Sequence, residues 1–281
     1  MVRVPHIQLG ENVAMPQIGF GVFKIERSDT AAMVLTAFEA GYRHIDTAQV
    51  YANEVEVGEA IAASGLPRQS VFVTTKLYPD MNGYDSSIQE LDRSLERLKI
   101  DYVDLYLIHH PGADKDQFLD AWRAMERLKA DGKTRSIGVS NLGIGHLRWL
   151  AERSDTRPAI NQVEIHPHQQ HQALRAYHRA NGIASSAWGA LKLGAALSDP
   201  LLARLAERYG KSPAQITLRW HIQVGNVALV KSLNPARMRE NIEIFDFELS
   251  AEDMAGLSKI DRDPDGAHGR IVKWAGPMWQ P

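Results

Sequence analysis

GYRHIDTAQVYANEVEVGEAI, residues Gly41 to Ile61, decides the fold. It reads as a short strand, a turn and the opening of a helix. His44-Ile45-Asp46 ends the strand and Tyr51 sits in the loop behind it. From Glu54 the pattern turns helical, with Val57 and Ile61 four apart on one face. An acid and a phenol at the carboxyl end of a strand stand where α/β enzymes keep their chemistry. Two later strands end in the same way: VFVTTK on Lys76, and DLYLIHH on His109 and His110. In one closed parallel sheet, Asp46, Tyr51, Lys76 and His109 meet at one rim.

The flanking sequence supplies the other strands and helices. Residues 4–24 carry Gly10-Glu11-Asn12 between two β-like runs, which predicts a hairpin followed by IGFGVF as the first barrel strand. Helical periods cover 30–40, 84–98, 117–130, 142–151, 171–180, 199–209, 212 onward, 235–244 and 250–260. The stripe Ile88, Leu91, Leu95, Leu98 is the clearest of them. Between them, 71–76, 103–108, 136–139, 160–165, 183–187 and 227–230 read as strands. The run 103–108 is apolar almost throughout, as a strand buried on both faces requires. Asp131-Gly132 offers a left-handed helix stop, and Ser212-Pro213-Ala214-Gln215 a capping box with proline at the first helical position. Eight strands alternating with helices predict a (β/α)8 TIM barrel, a single domain over 1–281 with an N-terminal β-hairpin and a loop from Asp261 to Pro281. A doubly wound open sheet is the runner-up. No G-x-G-x-x-G follows any strand, which counts against it.

Composition sets the limits. The chain has 281 residues, a formal net charge of −2, 44% hydrophobic residues and no cysteine. One barrel of roughly 250 residues fits that length. Near-neutral charge argues against general nucleic-acid binding. Without cysteine there is no disulfide, thiolate nucleophile or thiolate-bound metal. The opening MVRVPHIQLG has no long apolar signal region and no run approaches a membrane span, so the expected location is the cytoplasm, without a membrane partner.

The rim residues suit one kind of chemistry. A phenol titrates near pH ~10 in water, and a neighbouring ammonium lowers that value by stabilising the phenolate. Tyr51 beside Lys76 is thus expected to deliver a proton near neutral pH, with Asp46 keeping Lys76 charged and a histidine orienting the substrate oxygen. Such a set protonates an oxygen that is gaining negative charge, as in carbonyl reduction. It holds no hydride, so a cofactor must bring one. Singly, Asp46 could cap a helix and Tyr51 could be packing. Lys76 is harder to dismiss, because an unpaired buried charge is costly.

GYRHIDTAQVYANEVEVG, VFVTTKL, DLYLIHHP, GVSN, NQVEIHP and VKSLNPARMREN, in that order and over nearly the whole chain, resemble the aldo-keto reductases. Within that family the bacterial diketogluconate and methylglyoxal reductases look nearest. The resemblance implies a monomeric barrel that reduces aldehydes and ketones, including α-dicarbonyls and keto-sugars, with NADPH. By motif, Asp46, Tyr51, Lys76 and His109 match the catalytic four, with Tyr51 as proton donor. Ser140, Asn141 and Gln162 match the residues that bond the nicotinamide amide, and Trp188 the ring that stacks on it. Gly189 and Leu191 match the loop over the pyrophosphate. Lys231, Ser232 and Arg237 match the 2′-phosphate site, and Glu240 and Asn241 the adenine contacts. Physics agrees at the phosphate, since a helix start favours anions and arginine binds phosphate bidentately.

All of the departures but the last, Val230, fall on the substrate pocket. His110 stands where the family usually has tryptophan after the catalytic histidine. Phe23 and Tyr78 stand where tryptophan is common, and Val230 replaces a frequent proline. Two rival readings remain at this level. His166, His168 and His171 could hold zinc in a barrel hydrolase, although no carboxylate motif accompanies them. Alternatively, a cofactor-binding barrel could sense redox state without turnover. The Tyr51–Lys76 pair speaks against that second rival.

Overall fold

Two apolar periods run through the chain, and the fold sorts them into two layers. The computed structural model describes residues 4–10, 12–191 and 197–263. A short antiparallel hairpin, β1 (His6–Gln8) and β2 (Ala14–Pro16), comes first. Eight parallel strands follow: β3 (Ile18–Gly21), β4 (His44–Asp46), β5 (Phe72–Leu77), β6 (Val103–Ile108), β7 (Thr134–Ser140), β8 (Ile160–Glu164), β9 (Ala184–Trp188) and β10 (Asn226–Val230). Pairing of β10 with β3, Ala228 opposite Ile18 and Val230 opposite Phe20, closes the barrel and rules out the open sheet. The helices are α1 (Arg27–Ala40), α2 (Glu54–Ala63), α3 (Tyr84–Leu98), α4 (Lys115–Ala130), α5 (Ile144–Ala151), α6 (Gln172–Ala180), α7 (Pro200–Tyr209), α8 (Pro213–Gln223), α9 (Pro235–Ile242) and α10 (Ala251–Ser258). Among the described residues, no helix is long and apolar enough to cross a membrane.

Strand alternation builds both layers. On β6, Leu105 and Leu107 point inward and pack with Phe72, Ile160 and Val227. Tyr106 and Ile108 point outward, into the shell shared with Leu91, Phe118 and Trp122 of the helices. Fully burying one such side chain stabilises the fold by about 1.5–3 kcal/mol. Leu9, Val13 and Met15 join the inner cluster, so the hairpin plugs the amino end of the barrel. The carboxyl end is left for loops.

Two glycines are required by close approach. A Cβ on Gly19 would stand 2.3 Å from Nδ1 of His44 inside the barrel, and one on Gly58 would stand 2.2 Å from the Leu98 carbonyl oxygen. The second contact lets α2 lie against the end of α3. The predicted caps are present: Ser212 and Gln215 form a reciprocal box, and Gly132 takes φ 76° after α4. The first barrel strand is shorter than its apolar run. It ends at Gly21 because the chain turns through Lys24, at φ 57°, with Ile25 N bonded to the Val22 carbonyl. Of the expected terminal loop, only 261–263 lies within the described residues.

Candidate active site at the carboxyl rim

β4 and β5 are adjacent and in register, Asp46 opposite Thr74, so Asp46 and Lys76 both face the barrel axis near its carboxyl end. Lys76 is completely buried, at 0% exposure. Its Nζ donates to Asp46 Oδ1 at 2.6 Å and to the Thr47 carbonyl at 2.8 Å, and it reaches the Tyr51 hydroxyl at 3.5 Å. Tyr51 is carried by a single 3₁₀ turn, Gln49–Tyr51, ended by Ala52 at φ 58°. Asn53 pins that loop. It donates to the Val22 carbonyl at 3.0 Å and accepts from the Thr47 hydroxyl at 3.1 Å. Sequence reasoning missed Asn53, whose position just before Glu54 reads as an ordinary helix cap.

His109 completes the group. Its ring stands edge-on to Tyr51, 5.7 Å between centroids, and edge-on to Tyr78 at 6.1 Å. Phe23, 52% exposed, lies 4.9 Å from the Tyr51 ring on the outer side. His110 stacks parallel on His109 at 4.5 Å and meets Tyr78 edge-on at 5.8 Å. Strand alternation would send the two histidines to opposite faces. β6 stops at Ile108, however, and the chain beyond it is free to bring both rings together. The four expected catalytic side chains therefore converge, and the three expected pocket residues surround them.

The electrostatics correct one expectation. Burial is the largest influence on Tyr51 and raises its pKa; Lys76 pulls it down and Asp46 pushes it up, and the net shift is upward. The phenol stays protonated through neutral pH instead of titrating there, because desolvation of the phenolate outweighs the ammonium. Burial alone would lower Lys76, but Asp46 and Tyr51 outweigh it and keep the ammonium charged. His109 is pushed down to about 2 by burial, with Lys76 and His110 adding to the effect. It is a neutral imidazole.

The residues expected at the nicotinamide also gather on this rim. Trp188 donates its indole N–H to Asn141 Oδ1 at 2.9 Å, and Asn141 Nδ2 donates to the His109 carbonyl at 3.0 Å. Ser140 Oγ donates to the Gln162 carbonyl at 2.7 Å. Gln162 Nε2 donates to Asp46 Oδ2 at 2.8 Å, a link that sequence reasoning missed. Gly189 follows β9 at φ 65°, and Leu191 packs against the helix-facing core.

At the end of β10, Lys231 and Arg237 are exposed and Ser232 is half-buried. Lys231 Nζ donates to the Lys24 carbonyl at 2.7 Å. Its pKa is lowered by burial first and then by the Lys24 ammonium. Glu26 opposes that shift, and the bond to the Lys24 carbonyl ties the end of β10 to the loop after β3. The first free amides of α9 are partly used, since Asn234 Oδ1 accepts from Ala236 N and Arg237 N. Glu240 and Asn241 lie on the last turn of α9, half-buried and buried respectively.

In the rival histidine cluster, two of the side chains are bonded to protein groups. His168 Nε2 bonds Asp199 Oδ2 at 2.7 Å, and His171 bonds the Gln169 side chain at 3.2 Å. All three histidines are buried in the loop between β8 and α6. Among the described residues, no group of three or more histidine, aspartate or glutamate side chains is placed to hold a metal ion.

A (β/α)8 barrel with a buried lysine–carboxylate pair under a rim phenol and a neutral imidazole defines a class of barrel with acid chemistry at its carboxyl end. The model of the aldo/keto reductase family matches residues 17–262, and the chain belongs to that family. It is 45% identical over 258 residues to the glyoxal reductase of Bacillus subtilis (strain 168), covering 92% of this chain and 93% of that one. A crystal structure of an aldo/keto reductase from Brucella melitensis superposes with a TM-score of 0.90 at 46% identity, covering 92% of this chain and all of that one. A Bombyx mori aldo-keto reductase in complex with NADP gives 0.90 at 34% identity over the full length of both.

Proposed function

We propose that the protein reduces aldehydes and ketones to alcohols with NADPH, and that Tyr51 is the proton donor. The observation that carries this reading is Lys76: wholly buried, held charged by Asp46, and within 3.5 Å of the Tyr51 hydroxyl. A buried ammonium aimed at a phenol stabilises the phenolate left after proton transfer. His109, neutral and next to Tyr51, orients the carbonyl oxygen by a hydrogen bond without competing for the proton.

The residues of this chain fit the cofactor. Lys231 with Arg237 and Ser232 suits the 2′-phosphate, Glu240 and Asn241 the adenine, and Gly189 and Leu191 the pyrophosphate side. Ser140, Asn141, Gln162 and Trp188, which stand together beside Asp46, suit the nicotinamide. NADPH supplies the hydride that goes to the carbonyl carbon. Tyr51 then places its proton on the oxygen, so that carbonyl, hydride and proton together give the alcohol. Lys76 and Asp46 hold the charge that remains.

Phe23, Tyr78 and His110 line the substrate side. With imidazole in place of the family's usual indole, the pocket suits small polar carbonyls such as α-dicarbonyls and keto-sugars. The relative named glyoxal reductase supports that choice. The reading takes the enzyme as a cytoplasmic monomer without nucleic-acid partners. The test is loss of NADPH absorbance with a panel of aldehydes, α-dicarbonyls and keto-sugars. Turnover of none of them, with NADPH bound, would leave the redox-sensing barrel as the better account.

A further inference from the structure

We propose that Gln162 is a positioning residue for the proton donor as well as a contact of the cofactor: its amide N–H holds the second oxygen of Asp46 and so sets how strongly that carboxylate grips Lys76. The inference rests on the reading of Tyr51 as the acid.

Asp46 has two oxygens and both are engaged. Oδ1 takes Lys76 Nζ at 2.6 Å and Oδ2 takes Gln162 Nε2 at 2.8 Å. Gln162 comes from β8, 116 residues further along the chain and on a strand that does not pair with β4. Asp46 and Gln162 are 4% and 3% exposed, so water is a poor substitute for either bond. An ionised carboxylate only accepts, so it selects the N–H end of the glutamine amide. The main chain of Gln162 is fixed as well, because its carbonyl accepts from Ser140 Oγ and from Asn141 N at 3.0 Å.

This orientation has a chemical consequence. With Nε2 committed to Asp46, the oxygen end of Gln162 is the end available to accept from an amide. One side chain then touches the carboxylate that tunes the acid and also serves the nicotinamide amide. Removing its N–H leaves Asp46 Oδ2 without a donor in a dry place. More of the carboxylate's charge then acts on its neighbours, and that charge already pushes Tyr51 upward. Loss of the Gln162 donor should therefore make Tyr51 harder to ionise.

The other groups facing this cluster can be accounted for. His44 lies below Asp46 on β4 and is held down to about 4 by burial, with Asp46 opposing and Lys76 reinforcing. His109 from β6 is held down to about 2. Neither titrates above pH 7, where Tyr51 loses its proton. Tyr78 and His110 lie on the far side of His109 and are the same in wild type and variants.

Alcohol oxidation with NADP needs the Tyr51 phenolate, so its rate rises with pH as Tyr51 loses its proton. The experiment measures kcat for oxidation from about pH 8 to about pH 11.5, because Tyr51 is held above the ordinary phenol value, at saturating cofactor in the wild type, in Gln162→Met, which keeps the length but has no donor, and in Gln162→Glu. NADPH Kd is measured in parallel by quenching of protein fluorescence. The rising limb should move to higher pH in Gln162→Met by about half a unit or more. It should move further in Gln162→Glu, which sets a second carboxylate beside Asp46. Because glutamate keeps the shape of glutamine, that variant decides the matter if Gln162→Met fails to fold. A limb that stays in place in a folded variant, with NADPH Kd raised, overturns the proposal and leaves Gln162 a cofactor contact alone. An active Tyr51→Phe enzyme would instead overturn the assignment of the acid, so the two failures are distinct.

Discussion

His109 and His110 lie ring on ring, 4.5 Å between centroids and 6° from parallel. Neighbours in sequence, they share one side of the rim because β6 ends at Ile108. Asn141 Nδ2 touches both, donating to the His109 carbonyl and standing 3.4 Å from His110 Nδ1. The identity of that amide end is secured by Trp188, whose indole N–H can only donate and takes Asn141 Oδ1. The proposed pocket takes His110 into its wall, and substitution there should alter substrate preference.

His110→Trp restores a large apolar surface there. The ratio of kcat/KM for methylglyoxal to that for a nitrobenzaldehyde should fall several-fold in favour of the aromatic aldehyde, around 1 kcal/mol of differential transition-state binding. An unchanged ratio in a folded, NADPH-binding variant would show that His110 does not line the pocket.

Tyr51→Phe removes the acid and leaves the ring. Turnover should fall by about 10²–10⁴-fold, the usual worth of general acid catalysis, while NADPH Kd stays near the wild-type value. Retention of more than about a tenth of kcat with an unactivated aldehyde would exclude Tyr51 from the role.

Arg237→Ala should weaken NADPH more than NADH. A charged hydrogen bond is worth roughly 1.5–3 kcal/mol, reduced here by exposure of the side chain. Titration of both cofactors settles it, and an unaltered ratio of the two Kd values would remove Arg237 from the 2′-phosphate site.

Acid should destabilise the fold early. Burial holds His44 and His146 down to about 4 and His178 and His221 down to about 3. Unfolded, each binds a proton near pH ~6.5. The unfolded chain thus takes up more protons below that value, and stability present above it is lost as pH falls towards 4. Each histidine contributes a slope of up to about 1.4 kcal/mol per pH unit. Urea midpoints measured from pH 7.5 to pH 4.5 should drop steeply below 6.5; a flat profile would mean these imidazoles accept protons within the fold.

Much of this site was readable before the fold was known, for a physical reason. Strand ends in a closed parallel sheet share one rim, so Asp46, Lys76 and His109 could be brought together from period and order alone. Other features depend on quantities that a string of letters does not carry. Gln162 reaches Asp46 only because the barrel closes, and no local pattern ties two residues 116 apart. The upward shift of Tyr51 is a contest between burial and an ammonium, and the depth of burial is a property of the packed loop. The end of β6 at Ile108 was legible from its apolar run, but the stacking of His109 on His110 depends on the path of the chain beyond that end, which no periodicity describes.

Lys76 also marks the integrity of the barrel. Reagents that acylate amines need a neutral, accessible nitrogen, and Lys76 is fully buried and held charged. In the folded enzyme it should resist labelling under conditions that modify exposed lysines such as Lys231. Acylation of Lys76 then becomes a clock for opening of the barrel, read peptide by peptide. Its rate should slow when cofactor is added, because a ligand bound only to the closed form reduces the population of the open one.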